Sequence, residues 1–148
     1  MFNIIVFILI LIADQISKNI VFNNFSLGES VPVIPKIFHI TLVYNTGIAF
    51  GLFKNQTVLF SAVSFFVIVL IIFSILDQRK RKETNHLEVF ALYLILAGAI
   101  GNLIDRFRVG FVIDFLDFRV WPVFNIADSV ITLGMILILI RCVRLFFK

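Results

Sequence analysis

The stretch FNIADSVITLGMILILI, Phe124 to Ile140, decides the architecture. It is apolar over most of its length, yet Asp128 sits one turn inside its start. An aspartate at the centre of a membrane helix costs roughly 2.5–3.5 kcal/mol on insertion scales, so a chain that carries one usually has a use for it. The whole chain has the same character, with 61% of its 148 residues hydrophobic and only 15% charged. A soluble domain carries about a quarter charged residues. With a mean hydropathy of +1.09, the chain reads as an integral membrane protein.

The net charge of +4 and the isoelectric point near 9.6 would suit nucleic acid, but Lys and Arg fall in short clusters beside apolar runs. That is the pattern of membrane flanks, and nucleic acid is excluded as a partner. Cys142 is the single cysteine, which excludes an intrachain disulfide and a thiolate metal site; it reads as a small buried apolar residue. His39 and His86 fall on opposite sides of the membrane and cannot share a metal.

A span needs about 20 mostly apolar residues, and four segments qualify: 2–22, 57–76, 87–104 and 124–147. The first lacks a basic leader and a small-residue cleavage site and carries Asp14 and Lys18, so it is expected to remain as an anchor. The loop 77–86 holds four adjacent cations, Arg79 to Lys82, and Arg141, Arg144 and Lys148 mark the C-terminus. By the positive-inside rule this loop and both termini face the cytoplasm. Lys36, Lys54, Arg106, Arg108 and Arg119 fall in the outer loops, 23–56 and 105–123, so the four-cation loop carries most of the assignment. Residues 1–148 read as one membrane domain without repeats.

The outer loops differ from linkers. Phe38, Ile40, Leu42 and Tyr44 alternate with His39, Thr41 and Val43, a strand period, and Gly110 to Trp121 has similar strand propensity. The two are expected to pair into a small sheet at the outer mouth. The fold class is therefore an all-α membrane protein of four transmembrane helices with a small extracytoplasmic β-sheet. Gly98 and Gly101, with Ala97 and Ala99, thin the third span and let another helix approach closely.

Threading the chain up and down from a cytoplasmic start sends the costly polar groups to one face. Asp14 and Lys18 fall toward the outer end of the first span, Asn102, Asp105 and Arg106 at the outer end of the third, and Asn125 and Asp128 at the outer start of the fourth. Asn45 and Asp114 sit in the outer loops. Each has a plain structural reading: Asp14 and Lys18 form an i, i+4 pair, Asn125 caps a helix, Arg106 neutralises a helix end beside Asp105, and Asn45-Thr46-Gly47 makes a turn. Their coincidence on one face points to a site.

Four late aspartates reach that face. Asp105 adjoins Arg106 and Asp117 is two residues from Arg119, whereas Asp114 and Asp128 have apolar neighbours and no adjacent cation. Two desolvated carboxyls brought together cannot both ionise, so they hold one proton between them. Aspartic proteolysis needs that state: one member deprotonates a water, the other polarises the scissile carbonyl. A Ser/His pair with a supporting acid, HExxH, a phosphate loop and a cysteine nucleophile are not recognised on this face.

Five blocks carry a resemblance: DQISK at Asp14–Lys18, NTGIAFG at Asn45–Gly51, AGAIGNLIDR at Ala97–Arg106, VIDF at Val112–Phe115 and FNIAD at Phe124–Asp128. In this order and spacing they resemble the lipoprotein signal peptidases, the type II signal peptidases of bacteria, over essentially the full length. Ala97 stands where many members carry glycine, and the Asp114–Asp128 connection is short. The resemblance implies an endopeptidase of the bacterial inner membrane that cuts before the lipid-modified cysteine of a prolipoprotein. It assigns the dyad to Asp114 and Asp128, with Asn45, Gly47, Asn102, Asp105, Arg106 and Asn125 supporting the site or binding substrate, and Asp14 and Lys18 nearby. It implies no cofactor and no metal, with lipidated precursors and membrane lipids as partners, and a monomer suffices. A proton-coupled carrier would place its carboxylate near the midplane between short loops. A non-enzymatic subunit would use the polar cluster as helix glue. Phe50, Phe53 and Trp121 are expected at interface depth, where the first outer loop would hold the substrate.

Overall fold

Four helices carry the apolar sequence in the computed structural model, which describes residues 1–47, 57–80 and 85–147. They are α1 (Phe2–Asn24), α2 (Thr57–Lys80), α3 (His86–Val109) and α4 (Ile126–Phe146), and three strands, β1 (Ser30–Ile34), β2 (Phe38–Asn45) and β3 (Val112–Asp117), gather at one end. Each helix is long and apolar enough to cross a bilayer. Ile5, Leu9, Ile12, Phe66, Leu70 and Phe73 are exposed, an outer surface suited to lipid rather than water. Cys142, expected to be buried, is exposed on α4, because that helix turns its outer face to lipid instead of protein.

Helix α3 is the centre of the bundle. In its most apolar stretch 67% of residues are buried, against 17% in α1, 17% in α2 and 11% in α4. The reason is composition: small residues allow its neighbours close. A Cβ on Gly98 would lie 2.3 Å from the Ala127 backbone oxygen, and one on Gly134 of α4 would lie 2.8 Å from the Ala91 oxygen. The two helices therefore meet backbone to backbone, with a glycine contributed by each. On the other side, Ile68, Ile71 and Ile75 of α2 pack with Val89, Leu92 and Leu96 of α3. Helix α2 packs extensively against α3 alone among the described residues. Asn85 caps the start of α3 by accepting the Glu88 N–H, and Gly110, at φ +86°, closes its end.

The sheet has strand order β1-β2-β3, antiparallel throughout. Asn45 pairs with Val112, Val43 with Asp114, and His39 with Asp117, with a register shift between Ile40 and Val43. The apolar side of β2 and β3 packs on the C-terminal end of α1 through Val21, Leu42, Ile113 and Phe115, and the Tyr44 and Phe111 rings stack at 4.0 Å between centroids. Two strands were expected and three are present among the described residues. The extra one, β1, is an edge strand interrupted by Pro32 and exposed along its length, so it lacks the half-buried alternation that reveals a strand. Strand β3 is also shorter than the expected 110–121, ending at Asp117 just before Arg119, which takes φ +66°.

Candidate active site

The local sequence explains how α4 delivers its aspartate. Asn125 caps the helix, its side-chain oxygen accepting the Asp128 N–H at 2.8 Å, while Asp128 Oδ2 faces the Asn125 N–H at 3.4 Å. A second acceptor comes from another helix: Asp14 Oδ1 of α1 takes the Ala127 N–H at 2.9 Å. A carboxylate is favourable there, at the positive end of the α4 dipole. The expected cap at Asn125 and the expected buried acid at Asp128 are thus parts of one motif.

Beneath it lies a fully enclosed ion trio. Lys18 Nζ is 2.9 Å from Asp14 Oδ2 and 2.8 Å from Asp105 Oδ2, and it donates to Asn102 Oδ1 at 2.8 Å. All three ammonium hydrogens have acceptors, which is what makes a lysine tolerable at 0% exposure. Asp105 was expected to be neutralised by Arg106. Lys18 does this instead, and Arg106 reaches across to Ser64 Oγ of α2 at 3.2 Å. Adjacent residues on a helix point about 100° apart, so sequence neighbours do not pair. Gln15, not singled out in the sequence, places its amide nitrogen 3.1 Å from Asp14 Oδ2, 3.1 Å from the Gly101 oxygen and 3.2 Å from Asp105 Oδ1. Gly101 is required at this crossing, since a Cβ would sit 2.6 Å from Asp14 Oδ2.

Above the trio, Asp114 of β3 and Asp128 of α4 line one cavity of about 310 Å³ with Asn45, Asn102, Arg106 and Trp121. Asp114 Oδ2 accepts from Asn45 Nδ2 at 2.9 Å and its Oδ1 from Asn125 Nδ2 at 2.7 Å. Asp128 Oδ1 accepts from Asn102 Nδ2 at 2.8 Å. Neither forms a salt bridge among the described residues. Burial, and then the charge of Asp128, push the Asp114 carboxyl up to about 7 against the opposing effects of Asn45, Asn125 and Lys18. Gly47 also lines the cavity, and its N–H fixes Asn45 by donating to Oδ1 at 3.1 Å. A wider, more apolar recess of about 460 Å³ adjoins, lined by Phe118, Trp121, Phe124, Ser129 and Thr132 and sharing Asp128.

Asp117 behaves differently. Burial alone would raise it, but hydrogen bonds from Thr41 at 2.7 Å and from Arg119, together with the Arg119 charge at 2.9 Å, hold it below the usual carboxylate range. The sheet also contains a Ser/His pair that the sequence reading did not recognise, with Ser30 Oγ 3.1 Å from His39 Nδ1. Thr41 stands between this pair and Asp117. Among the described residues His39 Nε2 is buried without a hydrogen-bond partner, so none of their acids orients the ring as in a nucleophilic triad. His86 starts α3, at the end opposite the sheet. Phe50 and Phe53 lie outside the described residues, as do Arg81 and Lys82 of the basic run.

Residues 6–144 match the family model for signal peptidase (SPase) II. The lipoprotein signal peptidase of Moorella thermoacetica is 46% identical over 131 residues, which span 88% of this chain and 85% of that protein. The lipoprotein signal peptidase of Fusobacterium nucleatum is 42% identical over 150 residues, covering 100% of this chain and 88% of its own. A bacterial membrane enzyme solved by the in meso method superposes with a TM-score of 0.89 at 33% identity, over 97% of this chain and 88% of that one. With four membrane-spanning helices, a three-stranded sheet at one end and this breadth of similarity, the chain is a multi-pass bacterial membrane protein that belongs to the signal peptidase II family.

Proposed function

We propose that this protein removes signal peptides from diacylglyceryl-modified prolipoproteins, hydrolysing the bond before the lipidated cysteine with Asp114 and Asp128 as its catalytic pair. The observation that carries the reading is the pair itself: two carboxyls from different elements, facing one cavity, held by amide donors rather than by cations. The ionised member takes a proton from water, and the resulting hydroxide attacks the scissile carbonyl carbon. The protonated member gives its proton to the carbonyl oxygen, forming a neutral diol. Collapse of the diol breaks the C–N bond as the leaving amine is protonated, and the carboxyls again hold one proton.

The surroundings suit a substrate that stays in the bilayer. Phe60 of α2 and Asp128 of α4 line the same cavity although α2 and α4 do not pack extensively together. A lipidated precursor can therefore approach between them from the lipid, its acyl chains remaining outside. Arg79 and Lys80 close α2 and Arg144 lies in the last turn of α4, all at the end away from the cavity. The positive-inside rule then puts both termini in the cytoplasm and the dyad at the outer face. Asn45, Gly47, Asn102, Asp105, Arg106, Asn125, Asp14 and Lys18 support this site, and a monomer contains every part of it.

The test is cleavage by purified protein of a diacylglyceryl-modified precursor alongside its unlipidated form. Cleavage of the lipidated form, unaffected by metal chelators, is expected. Equal cleavage of both forms, or recovery of chelator-inhibited activity on adding metal, would overturn the assignment.

A further inference from the structure

Three asparagines touch the two cavity aspartates, and the orientation of each amide is set from its carbonyl side. Asn45 Oδ1 is held by the Gly47 N–H at 3.1 Å and Asn125 Oδ1 by the Asp128 N–H at 2.8 Å, while Asn102 Oδ1 accepts from Lys18 Nζ at 2.8 Å and, over a longer 3.1 Å, from Asn125 Nδ2. An amide whose oxygen is committed to a donor must present its NH2 group elsewhere. The NH2 groups of Asn45 and Asn125 accordingly meet Asp114, and that of Asn102 meets Asp128. Two of these four holding groups are backbone N–H groups close in sequence. The shorter of the two bonds to Asn102 comes from a charged side chain on another helix, 84 positions away.

Lys18 does not need Asn102 for charge balance. Asp14 and Asp105, at 2.9 and 2.8 Å, already exceed its single positive charge. The third N–H goes to a neutral amide that itself contacts a dyad carboxyl. We propose that Lys18 is a positioning residue for the hydrolysis: by holding the Asn102 carbonyl, it keeps Asn102 a donor to Asp128 and bars the flipped amide, which would set an oxygen against that carboxylate. This inference rests on the dyad assigned above. The charged groups facing Asp128 are Asp114 from β3, Arg106 from α3, and Lys18 and Asp14 from α1.

The test compares Lys18→Met/Asp105→Asn with the native protein and with Asp105→Asn, which reports the loss of that carboxylate alone. The double substitution removes one negative charge together with the positive one, so the trio's net charge stays as in the native protein, while Asn102 Oδ1 keeps only its longer contact to Asn125 Nδ2. The double variant is expected to lose roughly a hundredfold in kcat on the lipidated precursor beyond any loss in Asp105→Asn, the scale of losing one preorganised donor. KM should change by less than about twofold, since the lost contact serves the reacting groups rather than uniform substrate binding. The acid limb of the pH–kcat profile should move to higher pH, because an unheld amide can turn its oxygen to the dyad and favour its protonated form. Equal kcat in the two variants, with the acid limb of the double variant where it stands in the native protein, would overturn the proposal and leave Lys18 a counter-ion. Should the double variant not fold in detergent, Asn102→Leu, which leaves the trio intact, must show the same loss and the same shift; native kcat there would equally overturn it. A native protein that cleaves no lipidated precursor would instead defeat the hydrolase reading.

Discussion

Two pairs of buried aspartates lie side by side at the sheet end of this bundle, and they are treated in opposite ways. Asp14 and Asp105 share a lysine, accept backbone N–H groups from Ala127 and Ile113, and are 1% and 0% exposed. Asp114 and Asp128 receive side-chain amides and, at Asp128, the Asn125 backbone N–H at 3.4 Å, and they open onto a cavity. The first pair is a fastener between α1, α3 and α4. The second is left electrostatically uncomfortable, a state that costs stability and is retained where a reaction needs it. Burial is common to both pairs; what separates them is a cation in direct contact, present at Asp14 and Asp105 and missing at Asp114 and Asp128 among the described residues.

The sharpest break of this comparison is to neutralise each pair in turn. Asp114→Asn or Asp128→Asn should each lower cleavage of a lipidated precursor by roughly 10⁴-fold or more, as for other members of a catalytic unit, while the protein still unfolds cooperatively near its native temperature. Lys18→Met should instead strike stability as well as rate. It leaves two buried carboxylates unpaired and should destabilise by about 3–5 kcal/mol, read by thermal or denaturant unfolding in detergent. A stable Lys18→Met protein or a near-normal rate in Asp114→Asn would erase the distinction.

A pH titration of stability sharpens it further. The folded Asp114 carboxyl sits up at about 7, whereas an unfolded aspartate titrates near its ordinary value of about 3.9. Between those values the folded state holds the proton and the unfolded state does not, so stability falls as pH rises through the window. The native protein should therefore melt at lower temperature at pH 8 than at pH 5, and Asp114→Asn should flatten that dependence and be the more stable of the two at pH 8. The smallest effect is expected at Asp117, whose partner Arg119 is 48% exposed. Arg119→Ala should cost roughly 0–1 kcal/mol and leave cleavage unchanged.

Much of this was legible because lipid raises the cost of every polar group. The spans, the gathering of Asp14, Lys18, Asn102, Asn125 and Asp128 at one end, and the absence of a neighbouring cation at Asp114 can all be read from composition and spacing. What sequence could not supply was partnership across helices. The cation nearest to Asp105 in the chain is Arg106, yet Lys18 is the one in contact. Gln15 and Gly134 matter only because of what lies opposite them, and neither stands out in its own helix. Strand β1 escaped because an exposed edge strand with a proline has no alternation to read.

The spacing of Asp14 and Lys18 also bears on how the protein is made. Helix α1 leaves the ribosome well before α3, whose Asn102 lies 84 residues after Lys18. At about 5–20 residues per second, that interval lasts roughly 4–17 s. During it the first helix is expected to wait in the translocon or the lipid as an internally neutral segment, its acid and base satisfied one turn apart. A chain with the lysine on one helix and both acids on later ones would expose an unmatched cation for the whole of that interval. The i, i+4 pair of the folded bundle would thus let α1 stay neutral until Asn102 and Asp105 arrive.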